Sequence, residues 1–117
     1  MLIARCPRCR AEDISADAHP ARVLDNGLAR PVMVCRSCYR AAELEYRIAC
    51  SSASIPYEPL GIRQGLRLLR DFYAGRLAAL EMAETLDEDG RDAAAALVRA
   101  AKADVERRLA IAPVGDA

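Results

Sequence analysis

The sequence predicts a small α+β domain followed by an α-helical hairpin. All five cysteines lie within the first 50 residues, which also contain the pattern of a β-hairpin. From residue 62 to about residue 111, apolar residues recur at helical spacing. The segment 51–61 between these parts contains three serines and two prolines, which argue against regular structure. We therefore divide the chain into residues 1–50, a linker over 51–61 and a helical hairpin over 62–117.

The N-terminal part contains two predictions of β-structure. The apolar run 2–4 predicts a short strand ahead of the first cysteine. Further along, the segments 22–24 and 31–34 flank the pair Asn26-Gly27. Because both positions of this pair tolerate positive φ, the pair favours a tight turn, and the two segments are predicted to form a β-hairpin.

A helix is predicted to begin near the fourth cysteine, Cys38. Ala41, Leu44 and Ile48 recur at i, i+3 and i+7, which places them on one face of a helix. Ser37 is the predicted N-cap, because a serine hydroxyl can accept a hydrogen bond from the first turn.

The C-terminal part predicts two amphipathic helices. The first is predicted over residues 62–86, with a stripe formed by Leu66, Leu69, Tyr73, Leu77 and Leu80 and widened by Leu68, Phe72, Ala79 and Met82. The second ends before Pro113, with a stripe formed by Ala94, Leu97, Ala101, Val105 and Leu109. Only an acidic turn at 87–90 separates the two helices, so we expect them to pack antiparallel.

The composition favours a thin core that needs an additional staple. Hydrophobic residues make up 53% of the 117, but aromatic residues only 4%. Small cores of this kind are often stabilised by a metal ion.

The net charge is zero, yet residues 1–80 hold 12 basic and 8 acidic side chains, net +4, and residues 81–117 hold 5 and 9, net −4. No apolar stretch has the length of a membrane span or a signal peptide, so we expect a cytoplasmic protein without a membrane segment.

Four of the cysteines form two Cys-x-x-Cys pairs, which are Cys6 with Cys9 and Cys35 with Cys38. A gap of two residues lets both sulfurs of a tight turn reach one ion at ~2.3 Å, and two such turns complete a tetrahedron. The pattern therefore predicts one structural Zn²⁺ with no open position for chemistry. An iron–sulfur cluster usually shows other spacings, and a redox pair would need a thioredoxin-like strand and helix that are missing here.

The residues around this pattern give little support for catalysis. Cys50, the fifth cysteine, is predicted to be an ordinary buried or half-buried thiol, and His19, the single histidine, to lie in a loop or at the surface. Once the four paired cysteines are assigned, no nucleophile, base and acid remain grouped in the sequence. We therefore expect a protein that is not an enzyme. The arginines near the cysteines are expected to offset the charge of the thiolates; they are Arg5, Arg8, Arg10, Arg36 and Arg40.

A first cysteine pair, a hairpin and a second pair at the start of a helix resemble a treble-clef or zinc-ribbon zinc finger. The segment Ala29-Arg30-Pro31 ahead of the second pair, with Glu43 and Glu45 in the following helix, resembles the zinc finger of the DksA/TraR family. The resemblance implies a small α+β zinc finger that accompanies a helical hairpin, and RNA polymerase as the partner.

In that family the helical hairpin carries an acidic tip with the motif Asp-x-x-Asp-x-Ala, which enters the secondary channel of the polymerase. Asp89, Asp92 and Ala94 fit this motif in the predicted turn, and the resemblance implies that they bind the partner. The chain departs from the family in two ways: the finger precedes the hairpin instead of following it, and the loop between the cysteine pairs is longer.

Three functions remain open at this stage. The first is a regulatory or adaptor protein that binds a large partner such as RNA polymerase. The second is direct nucleic-acid binding through Arg63, Arg67 and Arg70, which recur at i, i+4 and i+7. The third is an assembly module of phage or mobile-element type, in which another copy covers the surplus apolar stripe of the first long helix. In all three, loss of zinc is expected to unfold residues 1–50 and to leave much of the helical hairpin intact.

Overall fold

The computed structural model describes residues 5–14, 17–83 and 87–112. The strand predicted at 2–4 lies outside these residues. The elements are β1 (His19–Asp25), β2 (Leu28–Val34), α1 (Arg36–Ser52), α2 (Ile62–Glu81) and α3 (Glu88–Ile111). A two-stranded antiparallel sheet followed by helices confirms the α+β class. Among the described helices, none is both long enough and apolar enough for a membrane span.

The predicted β-hairpin is confirmed. Strands β1 and β2 pair antiparallel, with His19 opposite Val34 at the open end and Asp25 opposite Leu28 at the turn. Asn26 and Gly27 form the two-residue loop with φ of 51° and 81°. Positive φ at both positions is what a type I′ turn requires, and its twist matches the twist of the strands. The local sequence is therefore sufficient to explain this element.

Helix α1 forms as predicted, but its start and its buried face differ from the prediction. The helix begins at Arg36 with Cys35 in the N-cap position, so Ser37 already lies inside the first turn and is not the cap. Leu44 and Ile48, on the predicted apolar face, are 59% and 57% exposed. The buried side of the helix is instead formed by Cys38, Ala42, Glu43 and Cys50. The need to direct Cys38 towards the other cysteines sets this rotation.

The linker predicted over 51–61 begins as helix, since α1 continues through Ser52. Its later residues are tied to α1 by specific contacts. The Tyr39 hydroxyl donates to the Leu60 carbonyl at 2.8 Å, and the Leu60 side chain is 2% exposed. The prolines therefore prevent helix in the later part of the linker, while the contact of Leu60 with Tyr39 holds that part against α1.

Helices α2 and α3 form an antiparallel hairpin, as predicted. At one end, Arg63 of α2 donates to the Leu109 and Ala112 carbonyls at the end of α3. At the other end, Arg91 of α3 donates to the Ala83 carbonyl at 2.8 Å. These two contacts join the first turn of each helix to the end of the other. The predicted α2 stripe is confirmed for Leu66 and Leu69, which are fully buried, and for its half-buried remainder.

The predicted boundary between the two helices is wrong. Helix α2 ends at Glu81, five residues earlier than predicted, and its predicted widening residue Met82 is 83% exposed. Asp87 is the N-cap of α3, and its carboxylate accepts a hydrogen bond from the Gly90 N–H at 2.6 Å. Residues 88–90 therefore form the first turn of α3 and not a loop between the two helices. The reason is that acidic side chains are favoured in the first turn of a helix, where they face the positive end of the dipole.

The finger and the helical hairpin share one hydrophobic core. Leu66 and Leu69 from α2 and Val105 from α3 belong to the same buried cluster as Met33 and Val34 from β2. Cys6, Cys35, Cys38 and Ala42 belong to this cluster as well. Since the Ala-rich helix α3 offers little apolar area, the β-hairpin supplies the rest of the cover for α2. The buried part of the α2 stripe, for which the assembly hypothesis expects cover from another copy, is in this way covered from within the molecule. Leu97 of α3 is predicted to face α2, and this is wrong, since it is 73% exposed.

Gly65 of α2 lies against Pro20 of β1, and it provides a test of this packing. A Cβ at Gly65 would lie 2.5 Å from Cγ of Pro20, whereas a Cβ at Gly75 of the same helix would meet nothing within 4 Å. Gly65→Ala is expected to lower the free energy of unfolding by about 1–3 kcal/mol through overpacking. Gly75→Ala is expected to raise it by up to ~1 kcal/mol through helix propensity. Urea unfolding of both variants measures the difference, and a stabilised Gly65→Ala would contradict the packing.

Candidate metal centre

The first cysteine pair lies in a tight loop closed by backbone hydrogen bonds. The Cys6 N–H donates to the Ala11 carbonyl at 2.8 Å, and the Arg10 N–H donates to the Cys6 carbonyl at 2.8 Å. Arg10 adopts a φ of 68°, a left-handed conformation that turns the chain back immediately after Cys9. An isolated antiparallel bridge between Arg5 and Glu12 closes the base of this loop.

The second cysteine pair lies at the start of α1. Cys35 is the N-cap residue, and Cys38 points inwards from the first turn. The first helical hydrogen bond runs from the Tyr39 N–H to the Cys35 carbonyl at 2.9 Å. Thiolate charge is favoured at this place because the N-terminal end of a helix carries partial positive charge.

The structure brings the four predicted ligands together. The Sγ atoms of Cys6, Cys9, Cys35 and Cys38 all lie within 4.8 Å of one another. The sulfurs of Cys9 and Cys35 are 3.6 Å apart, too far for a disulfide bond of ~2.05 Å. In a regular tetrahedron with bonds of ~2.3 Å, the ligand atoms are about 3.8 Å apart. The cluster therefore has the dimensions of a four-coordinate metal site.

Hydrogen bonds prepare Cys6 to be a thiolate. Burial of the Cys6 thiol opposes its ionisation. Hydrogen bonds from three backbone N–H groups, those of Cys35, Cys9 and Arg8, have a larger combined effect and lower the pKa of Cys6 from 9.0 to about 6. The contact from the Cys35 N–H to the Cys6 sulfur measures 3.4 Å. Amide groups directed at the sulfurs are the usual way in which a protein supports the excess charge of several thiolates.

The Cys38 thiol has the opposite tendency. Burial raises the pKa of Cys38 to about 12, and hydrogen bonds with the neighbouring thiols raise it as well. The hydrogen bond from the Arg8 guanidinium lowers this pKa, but by less. Four sulfurs at this spacing resist carrying four negative charges, since each charge disfavours ionisation of its neighbours. A divalent cation at the centre removes that repulsion. The chemistry of the donor set therefore fits a bound metal ion.

Of the five arginines expected around the cysteines, Arg8 is the one that the described structure places on a sulfur. Its Nη1 lies 3.5 Å from Sγ of Cys38, and its Nη2 is 3.4 Å from the Glu45 carboxylate. The contact with the Cys38 sulfur is the main reason that the pKa of Arg8 is raised. Arg5 and Arg36 instead form ion pairs with carboxylates, those of Glu12 and Asp17.

A buried carboxylate, whose burial and partners the sequence did not reveal, fixes the helix that carries Cys38. The Glu43 residue is 7% exposed, and both of its carboxylate oxygens lie 2.9 Å from Nη2 of Arg22 on β1. It also accepts hydrogen bonds from the Tyr57 hydroxyl at 3.1 Å and from the Leu60 N–H at 3.1 Å. The Arg22 guanidinium lies 4.0 Å from the ring centroid of Tyr46. The resemblance pointed to Glu43, but only the fold brings together partners that lie up to 21 residues apart.

The remaining cysteine and the histidine both lie in the interior. Cys50 is a free thiol and 5% exposed, which confirms the prediction of a buried thiol. His19 was predicted to be in a loop or at the surface, and this is wrong. It begins β1, is 8% exposed, and its ring centroid lies 3.8 Å from that of Tyr39. The imidazole stacks on the helix that carries the second cysteine pair, which accounts for its burial.

The three residues of the predicted acidic tip lie in the first two turns of α3. Asp89 and Asp92 are exposed, and Ala94 is half-buried. Neither aspartate is the N-cap, because Asp87 occupies that position. The two carboxylates therefore project from the end of the helical hairpin, on regular helix and not on a turn.

The predicted arginine stripe of α2 is divided by the fold. Arg63 donates to two carbonyls at the end of α3 and is half-buried there, which leaves it a structural role. Arg70 lies 3.2 Å from the carboxylate of Asp71, while Arg67 is exposed. A continuous basic face along 63–70 is therefore not formed, and this weakens the argument for direct nucleic-acid binding.

Comparisons of this chain with protein-family models, with curated proteins and with solved structures find no match.

Proposed function

We propose that the protein is a non-enzymatic, zinc-binding regulatory or adaptor protein that binds a macromolecular partner, with RNA polymerase or another part of the transcription apparatus as the first candidate. The observation that carries the proposal is the cluster of Cys6, Cys9, Cys35 and Cys38. Four thiolates are the ligand set that Zn²⁺ takes in closed structural sites, where the metal contributes to folding. The function then belongs to the surfaces that the metal-supported fold presents.

A non-enzymatic role also agrees with the chemistry of the surface beside the metal centre. A groove of 520 Å³ lies between the first cysteine loop, the β-hairpin and α2, and apolar residues such as Val23, Val32 and Phe72 line most of it. Of its charged residues, Arg30 and Asp25 are bound to each other at 2.8 Å, and Arg8 is bound to Cys38 and Glu45. These pairings leave the charged groups of the groove committed to structural contacts, which favours protein binding over acid–base catalysis.

Two features support a partner of the transcription apparatus. The finger resembles the zinc finger of the DksA/TraR family, and the exposed carboxylates of Asp89 and Asp92 lie at the end of a long helical hairpin. In this proposal the hairpin carries the two carboxylates towards a basic or metal-bearing site of the polymerase. The reversed order of finger and hairpin means that the orientation of the finger on that partner differs from the family.

The acidic end of the hairpin can be tested directly by transcription in vitro with a bacterial RNA polymerase. The double variant Asp89→Asn, Asp92→Asn is expected to lose most of any effect of the protein on transcript yield, because the amides keep the shape of the side chains and remove the charge. Glu106→Gln on the same helix is the matched control and is expected to behave like the unmodified protein. An effect that survives in the double variant would contradict a role for the two carboxylates.

The partner itself is to be identified by co-purification and mass spectrometry, with purified RNA polymerase as the defined binding test. A zinc-loaded protein that binds neither polymerase nor any other macromolecule reproducibly would contradict the adaptor function. A salt titration with duplex DNA distinguishes direct nucleic-acid binding from the adaptor function. Nucleic-acid binding weakens steeply with salt, whereas protein binding through apolar contacts does not.

A further inference from the structure

The outward side of α1 carries an apolar surface that the fold does not use. Ala41, Leu44 and Ile48 form this surface, which we call the α1 ridge; Leu44 is 59% and Ile48 57% exposed. Their spacing of i, i+3 and i+7 puts them on one stripe. A second stripe of the same helix, including Cys38 and Ala42, is already buried in the core. Helix α1 is thus apolar on two sides, and one side faces solvent.

The charges beside the α1 ridge that form no ion pair among the described residues are both positive. Arg40 and Arg47 recur at i and i+7 along one edge of the ridge, and both are exposed. Within the described residues, neither forms an ion pair with a carboxylate, and the guanidinium of Arg47 lies 5.9 Å from the ring centroid of Tyr57. On the opposite edge, the carboxylate of Glu45 is bound to Arg8. The ridge therefore presents two large apolar side chains and two positive charges without compensation.

We propose that the α1 ridge is the docking surface for an amphipathic segment of a protein partner that carries acidic side chains beside its apolar ones. The proposal rests on the proposed adaptor function and names the surface that it uses. Apolar side chains of the partner would cover Leu44 and Ile48, and its carboxylates would lie beside Arg40 and Arg47. Charge complementarity of this kind sets orientation and speeds encounter, while the apolar contact supplies most of the affinity.

Other occupants fit the ridge less well. An antiparallel second copy on the same surface would place the Arg47 edge beside its own symmetry mate, which is repulsive. A nucleic acid would match the arginines but would leave Leu44 and Ile48 uncovered. On a lipid surface, only the two large apolar side chains of the ridge would enter the membrane. This is a small apolar area for a helix that binds at a membrane interface.

The test uses the zinc-loaded chain and a defined probe. The probe is a fluorescein-labelled amphipathic peptide with leucine on one helical face and glutamate elsewhere, and its counterpart carries lysine in place of glutamate. Fluorescence anisotropy is expected to show binding of the glutamate peptide, at least about tenfold tighter than that of the lysine peptide. Leu44→Glu, Ile48→Gln and the pair Arg40→Glu, Arg47→Glu are each expected to weaken this binding about tenfold or more.

Leu97→Glu is the matched control, because Leu97 is 73% exposed on a different helix. It is expected to leave the affinity for the glutamate peptide within about twofold. Far-UV circular dichroism establishes that each variant is folded. Absence of binding at about 100 µM protein, equal binding of both peptides, or equal effects of Leu97→Glu and Leu44→Glu would overturn the proposal.

Three further measurements separate the other occupants from the one proposed. A concentration-dependent dimer in sedimentation that Leu44→Glu abolishes would assign the ridge to a second copy and overturn the proposal. Displacement of the peptide by duplex DNA or by anionic phospholipid vesicles would overturn it as well. If RNA polymerase binds the protein and Leu44→Glu leaves that affinity unchanged, the α1 ridge is excluded as the docking surface, while the adaptor function stands.

Discussion

The variant Cys6→Ser is expected to abolish stable metal binding and to unfold the described domain as a whole. Cys6 is fully buried and lies in the same apolar cluster as Leu66, Leu69 and Val105 of the helical hairpin. Binding of structural zinc contributes an apparent ~10–16 kcal/mol in zinc-finger peptides, as much as the whole stability of a typical domain, ~5–15 kcal/mol. The sequence alone predicts that the helical hairpin survives loss of zinc. Because the finger and the hairpin share one core, we instead expect both to unfold in one cooperative transition.

Far-UV circular dichroism and metal analysis measure this effect, either in Cys6→Ser or in the unmodified protein treated with a strong chelator. Cys50→Ser is the control, because Cys50 is buried outside the cluster; it is expected to keep one zinc per chain and a folded spectrum. The hairpin helices hold 20 and 24 residues against 17 in α1, so an independent hairpin would keep most of the helical signal. If that signal remained without metal and melted cooperatively, the expectation of one transition would be wrong.

Replacement of Glu43 by alanine is expected to be the most destabilising change away from the cysteines, at about 3–5 kcal/mol. It leaves the guanidinium of Arg22, which is held in a part-buried position, without its carboxylate, and removal of one partner of a buried ion pair has a cost of this size. The N–H of Leu60 and the hydroxyl of Tyr57 lose an acceptor at the same time. Burial together with Glu43 raises the pKa of Tyr57, so a lower pKa of this hydroxyl is a second expected change.

The measurement is chemical unfolding at a fixed excess of zinc. Glu45→Ala is the matched control on the same helix, since its carboxylate is exposed and pairs with Arg8 at 3.4 Å; an exposed pair contributes about 0–1 kcal/mol. A double-mutant cycle with Arg22→Ala separates the pair from its surroundings. Equal effects of Glu43→Ala and Glu45→Ala would show that the buried network does not hold α1 against β1 and the 57–60 segment.

The sequence by itself determined the elements whose cause is local. Asn26-Gly27 specifies a turn with two positive φ angles, and the structure has this turn with the strands in the expected places. The spacing of the four cysteines predicts that their sulfurs meet, and they do. The long apolar stripe of α2 likewise identifies a helix with one buried side. The turn and the α2 stripe depend on residues that are close together in the sequence. The two cysteine pairs are far apart in the sequence, and their meeting follows from the demand of one metal ion for four ligands.

Only the tertiary structure decided which side of a helix is buried and where the helices end. Helix α1 has apolar residues on two sides, and periodicity identified the side with Leu44 and Ile48, which is the exposed one. The direction of Cys38 towards the metal centre, and of Glu43 towards Arg22, fixes the rotation of the helix. These contacts join residues 21–30 positions apart, such as Arg22 with Glu43 and Arg8 with Cys38. Local spacing cannot encode such pairings, because they exist only once the β-hairpin, α1 and α2 have closed around one shared core.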